Sequence, residues 1–135
     1  MAYVDGFILP VPEGNLDAYT KDAKLAAKVW MDHGALQYCE SAADDVPVGK
    51  STDFYRAVKR KEGETVVFAF AVYRNRKHRD EVMKKVMADP RLKMDPARMP
   101  FDGKRMFWGG FKTFIDKKAA EYPAVFRQPG YRATG

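Results

Sequence analysis

Asp22 and His33 carry the first hint of chemistry in this chain, because both fall on the apolar arc of a predicted helix over about 16–33. A charge on such an arc needs a partner or a solvent-filled pocket, since burying it alone is costly. The two lie about three turns apart, too far to touch along one helix. Asp22 would therefore look to another element for a cation, with Arg79 and Arg105 as the candidates. An imidazole titrates near neutral pH, so His33 suits general acid–base work or a hydrogen bond to a ligand. Tyr19, Trp30, Tyr38 and Trp108 could wall a pocket for a planar molecule, with Arg79 anchoring an anion. A plainer reading stands beside this one: His33 closes a helix C-terminus, where a cation is favourable, and the aromatics are core.

Other chemistries find less support. Two histidines and one cysteine, widely spaced, make no zinc signature, and no metal site is expected. Ser41 and Ser51 are not in a Gly-x-Ser-x-Gly turn, and Cys39 has no base beside it in sequence. Gly103-Lys104 lacks the upstream glycine of a phosphate loop. Asp44-Asp45 suits a turn or cap. Neither substrate nor cofactor is legible.

Length and composition set the frame. A chain of 135 residues with 46% hydrophobic and 31% charged residues is one globular domain. No apolar run approaches the roughly 20 residues of a membrane span. The opening MAYVDGFILPVPEG reads as a strand rather than a signal peptide. The single cysteine fits a reducing compartment, so a cytoplasmic protein is expected. The net charge of +6 gathers at 59–61, 74–79 and 84–85, yet 18 acidic residues are interspersed, which favours a solvated basic surface over a nucleic-acid site.

The elements that would position these residues follow from periodicity. Tyr3–Val11 alternates as a first strand, with Tyr3, Asp5, Phe7 and Leu9 on one side; Pro10 and Pro12 predict fading pairing or an edge. Asn15 is placed to cap the 16–33 helix, and Gly34 to end it. Lys21, Lys24, Lys28 and Asp32 form that helix's wet side. Leu36–Ala42 is the second strand, and Asp53 can cap a short turn through Val58. Thr65–Tyr73 is dense in β-branched and aromatic residues and is the third strand. A second helix from Arg76 to Ala88 stops before Asp89-Pro90, with Val82, Met83, Val86 and Met87 as its apolar stripe and Arg79 on the same side.

The fourth strand lies in Met99–Ile115, opening on a Pro-Phe-Asp-Gly turn. One of its faces carries Met106, Trp108, Gly110 and Phe114, the other Phe107, Gly109, Phe111 and Ile115, so both want cover. The order is β-α-β-β-α-β, a ferredoxin-like antiparallel sheet with two helices on one face, over residues 1–116. Residues 117–135 form a C-terminal extension in which Tyr122, Val125 and Phe126 suggest docking. A sheet face left open and apolar predicts a homodimer joined sheet to sheet. The RNA-recognition module shares the same element order, and Phe68, Ala69, Phe70 and Tyr73 match part of its aromatic signature, with Tyr3 as a partner. The basic residue and glycine of that signature are missing, so RNA binding is the lesser expectation.

Several motifs together resemble the YbaA-like family of small bacterial proteins of unknown function. They are Tyr3-Val4-Asp5-Gly6-Phe7, Trp30 through Ala35, Asp44 through Pro47, Ala57 through Lys61, Arg76 through Asp80, and Met99 through Met106 running into Gly109-Gly110-Phe111. The resemblance covers about residues 1–116. It implies the dimeric α/β-barrel superfamily, whose members include monooxygenases and isomerases, and with it a ligand pocket between sheet and helices. Fold-level analogy of this kind transfers no activity. The expected function is thus a small-molecule pocket between sheet and helices, with a monooxygenase- or isomerase-like activity open to it, and a non-catalytic stress or regulatory binding module as the alternative.

Overall fold

The computed structural model describes residues 1–93 and 95–120. It holds a four-stranded antiparallel sheet of β1 (Tyr3–Pro12), β2 (Gln37–Ala42), β3 (Glu64–Tyr73) and β4 (Phe107–Lys112), in the order β2-β3-β1-β4. Two long helices, α1 (Leu16–Asp32) and α3 (Arg76–Ala88), flank the short α2 (Phe54–Ala57) in sequence. This mixed α+β arrangement is compatible with a ferredoxin-like fold. The docking expected of Tyr122, Val125 and Phe126 lies outside the described residues.

Register decides which residues meet. Tyr3, Asp5, Phe7 and Leu9 pair with Tyr73, Ala71, Ala69 and Val67, so the odd rows of β1 and β3 share one face. Both helices cover that face. Val29 of α1 and Val82 and Val86 of α3 pack with Tyr3, Ala71 and Tyr73, while Tyr19 packs with Leu9, Val11 and Val67. The small side chains of Ala69 and Ala71, fully buried, let the helices approach the middle of the sheet. The even rows form the opposite face, with Val4, Ile8, Phe68, Phe70, Val72, Phe107 and Phe111. There Phe68 remains 46% exposed and Phe111 64%.

Caps explain the element ends. Gly34, at φ 108°, closes α1 in a Schellman arrangement, with the Ala35 N–H donating to Trp30 O and the Gly34 N–H to Met31 O, both at 3.1 Å. Asp53 Oδ1 accepts from the Arg56 N–H at 2.8 Å and caps α2 as expected, and Asn75 does the same for α3 through the His78 N–H.

Three local expectations need correction. Asn15 sits at the N-cap position, but its side chain donates instead to Pro100 O at 3.0 Å and ties α1 to the segment before β4. Pro10 and Pro12 do lie where β1 becomes an edge, as expected: the β4 side stops at Ile8, while pairing with β3 continues through Val66 and Glu64. The fourth strand shrinks to Phe107–Lys112, because Asp102 caps a tight 3-10 turn over Gly103–Arg105 ahead of it. Met87 is 77% exposed, so the buried stripe of α3 rests on Val82 and Val86.

That 3-10 turn is held by a buried ion pair. Arg105 donates from Nη1 and Nη2 to both Glu64 oxygens at 2.6 Å, and from Nε to Asp102 Oδ2 at 3.0 Å. Arg105 thereby holds the Glu64 carboxyl below its ordinary value of 4.5. A carboxyl whose folded-state pKa is depressed adds stability above its unfolded pKa and loses it as pH falls toward the folded value. Removing Arg105 strands a buried carboxylate. We expect Arg105→Met to cost about 3–5 kcal/mol in urea unfolding at neutral pH. Glu64→Gln should leave a flatter loss of stability below pH 4.5 than the wild type shows.

Candidate functional site

A groove of about 540 Å³ runs between α1 and β2. Leu16, Ala23, Ala27 and Met31 of α1 supply apolar wall, Val67 of β3 lies at its floor, and Lys24 and Lys28 stand along its α1 side. On the helix-covered face of β2, Tyr38 and Glu40 project together because they are two residues apart on a strand. Tyr19 reaches across from α1, and its hydroxyl donates to Glu40 Oε1. The Tyr38 hydroxyl donates to Glu40 Oε2 at 2.7 Å. Two phenols thus hold one carboxylate on the groove wall.

Burial and the adjacent Glu40 carboxylate push both phenol groups well above their ordinary value of 10.0. Tyr73 is also raised, chiefly by burial and then by the Asp5 charge. Raised phenols support the fold fully below the unfolded value of 10.0 and withdraw that support as pH rises from there through the higher folded values. A spectrophotometric titration should therefore find Tyr19, Tyr38 and Tyr73 silent until alkaline unfolding. If Tyr19, Tyr38 and Tyr73 ionise near pH 10 with the fold intact, the clamp does not exist in solution.

The remaining expected site residues lie elsewhere. Trp30 packs behind the groove, its ring 5.3 Å from that of Tyr38 and its Nε1 donating to the Tyr73 hydroxyl at 3.1 Å. Arg79 donates from Nη1 to Asp5 Oδ1 at 2.9 Å and from Nη2 to the Tyr3 hydroxyl at 3.2 Å, with its guanidinium 5.0 Å from the Tyr3 ring centroid. Burial pushes Asp5 up, while the Arg79 charge and the Tyr73 hydroxyl oppose that. Arg79 thus pairs with Asp5, and Arg105 with Glu64, so neither meets Asp22. Asp22 is half-buried and makes no side-chain hydrogen bond among the described residues. Trp108 stands 64% exposed on the helix side of β4, outside the groove.

His33 takes the plainer role at the α1 C-terminus. Its Nε2 lies 2.7 Å from Asp89 Oδ2, and Arg91 joins Asp89 to Asp32 through bonds of 2.7 and 2.9 Å. Arg91, then His33, hold the Asp89 carboxyl far below the usual range. The cluster straps the 3-10 turn at Pro90–Leu92 to the end of α1. Among the described residues no group of three or more His, Cys, Asp or Glu side chains could hold a metal ion, and no helix is long and apolar enough to cross a membrane.

The sequence reading missed Glu40, Asp5, Glu64 and Asp89. Two had a signal. Asp5 stands in the row Tyr3-Asp5-Phe7-Leu9, which places a carboxylate on a buried face, and Glu40 follows Tyr38 at strand spacing. Glu64 and Asp89 had none, since their burial depends on Arg105 and Arg91 folding back over them.

A four-stranded antiparallel sheet under two long helices, with polar side chains tied into internal pairs, defines a small mixed α+β protein whose geometry alone names no reaction. Residues 2–103 match the family described as "Protein of unknown function (DUF1428)", and the chain belongs to that family. It is similar to the uncharacterized protein YbaA of Escherichia coli strain K12, 49% identical over 117 residues, covering 87% of this chain and 100% of the relative. The uncharacterized YbaA of Shigella flexneri matches with the same identity and coverage. These kinships support the YbaA-like resemblance and carry no activity with them.

Proposed function

We propose that this protein binds a small, largely apolar molecule bearing a hydrogen-bond donor in the groove between α1 and β2. The observation that carries the reading is the Tyr19–Glu40–Tyr38 clamp on the groove wall. A carboxylate offers about four lone-pair positions. The two phenols use two, leaving acceptor capacity for a ligand hydroxyl or ammonium. The volume, near 540 Å³, suits a small metabolite. His33 and Asp22 do not line the groove, so recognition by Glu40, rather than proton transfer through His33, is the activity put forward.

The second part of the proposal is assembly: a cytoplasmic homodimer of ferredoxin-like subunits, of the dimeric α/β-barrel kind, paired through the open sheet faces. Val4, Gly6, Ile8, Phe68, Phe70, Val72, Phe107, Gly109 and Phe111 place no charged side chain on that face. An uncharged apolar face favours a second copy of itself over a polyanion, which needs cations beside its aromatics. Phe68 and Phe70 do lie on the open face, as RNA stacking requires, but Tyr3 is buried beneath Arg79 on the other.

Two experiments test these parts separately. In a thermal-shift screen of apolar amines and alcohols, hits should stabilise the wild type and lose their effect in Glu40→Gln; hits that act equally on both proteins remove the proposed anchor. Light scattering at micromolar concentration should return twice 15.4 kDa, and Phe111→Lys should return 15.4 kDa. A monomeric wild type, or a salt-sensitive shift on adding RNA, would overturn the assembly.

A further inference from the structure

A second hollow, of about 390 Å³, lies in the connection between β2 and β3 and shares no lining residue with the groove. Val46, Val48 and Tyr55 give it apolar walls, while Arg56 and Arg60 bring two guanidinium groups to it. Each guanidinium is anchored by a backbone carbonyl. Arg56 Nη1 donates to Lys50 O at 3.2 Å, and Arg60 Nε donates to Glu64 O at 2.5 Å. The Arg60 guanidinium sits 5.3 Å from the Tyr55 ring centroid, and the Tyr55 hydroxyl is itself fixed by donating to Val46 O at 2.8 Å. Carbonyl anchoring orients these forks without neutralising them.

Among the described residues the only acid lining the hollow is Asp53, and each of its oxygens accepts a backbone N–H. Oδ1 accepts from the Arg56 N–H at 2.8 Å and Oδ2 from the Gly49 N–H at 3.1 Å, with the side chain only 4% exposed. Its approach to Arg56 Nε, at 3.6 Å, is an ion pair without a short hydrogen bond. Two guanidinium groups therefore face a single carboxylate, which leaves the hollow with a net positive charge. The chain enters Arg60 through Lys59 in the left-handed region, at φ 52°, and the Lys59 carbonyl is held by Arg105 Nη1 at 3.0 Å. The Arg105 cluster thus also fixes the residue from which Arg60 projects.

We propose that this hollow binds a small organic anion, a phosphate monoester or a carboxylate, whose charge is gripped by Arg56 and Arg60 and whose apolar body rests on Val46, Val48 and Tyr55. Planar guanidinium forks match both anions through paired N–H donors. The site stands independently of the α1–β2 groove.

NMR titration of the full chain with phenyl phosphate, benzoate and benzyl alcohol tests it. Phenyl phosphate or benzoate should shift the amides around Tyr55, Arg56 and Arg60, weaken with added salt, and bind about tenfold or more weaker to Arg56→Met and Arg60→Met. The tighter of the two anions identifies the head group. Arg60→Lys keeps the charge without the fork and should bind between wild type and Arg60→Met. Absence of shifts with both anions, or benzyl alcohol binding as well as they do to the wild type, overturns the proposal whatever the variants do.

Discussion

The ion pair between Asp5 and Arg79 joins the centre of the sheet to the helix layer. Asp5 is a carboxylate on the covered face of a central strand, 5% exposed, where an unpaired charge would cost more than neighbouring apolar burial could offset. Arg79 answers it from the first turn of α3, and in doing so orients that helix over β1. The same guanidinium covers the Tyr3 ring, and Tyr3 in turn lies over Gly110 of β4 so closely that a Cβ there would collide with it. One charge pair thereby connects α3, β1 and β4. Gly110 is explained by the aromatic ring above it, not by a turn.

The same economy recurs at the edges of the fold. Glu64 with Arg105 and Asp89 with Arg91 and His33 tie connecting segments to the ends of β3 and α1. These three clusters absorb many of the polar side chains that would have been candidates for chemistry. Glu40, held by two phenols beside an open groove, and the Arg56–Arg60 pair, held by backbone carbonyls, are arranged differently. Their partners fix position while leaving capacity to spare. That difference between a spent polar group and an oriented, unspent one separates candidate binding positions from structural ones.

Much of the fold was legible because its determinants are local. The alternation in Thr65–Tyr73, the Asp53 cap and Gly34 at the end of α1 depend on neighbours a few residues away, and each stands where expected. The site was less legible. Tyr19 and Tyr38 were recognised as pocket aromatics, yet their meeting point at Glu40 joins residues 21 apart in sequence, for which no periodicity speaks. Asn15 shows the same limit: a good cap residue by type, drawn off by a carbonyl 85 residues away.

By itself the sequence determined the element order, the two-faced apolar character of the last strand, the absence of a zinc or nucleophile signature and the kinship with the YbaA-like proteins, because each is written in residue type and short-range spacing. Only the tertiary structure decided which charges meet. Arg79 goes to Asp5 rather than Asp22, Arg105 to Glu64, and His33 to Asp89. Partner choice among buried charges is set by strand order and register, which bring together residues as much as 74 positions apart. No local pattern along the chain encodes that distance.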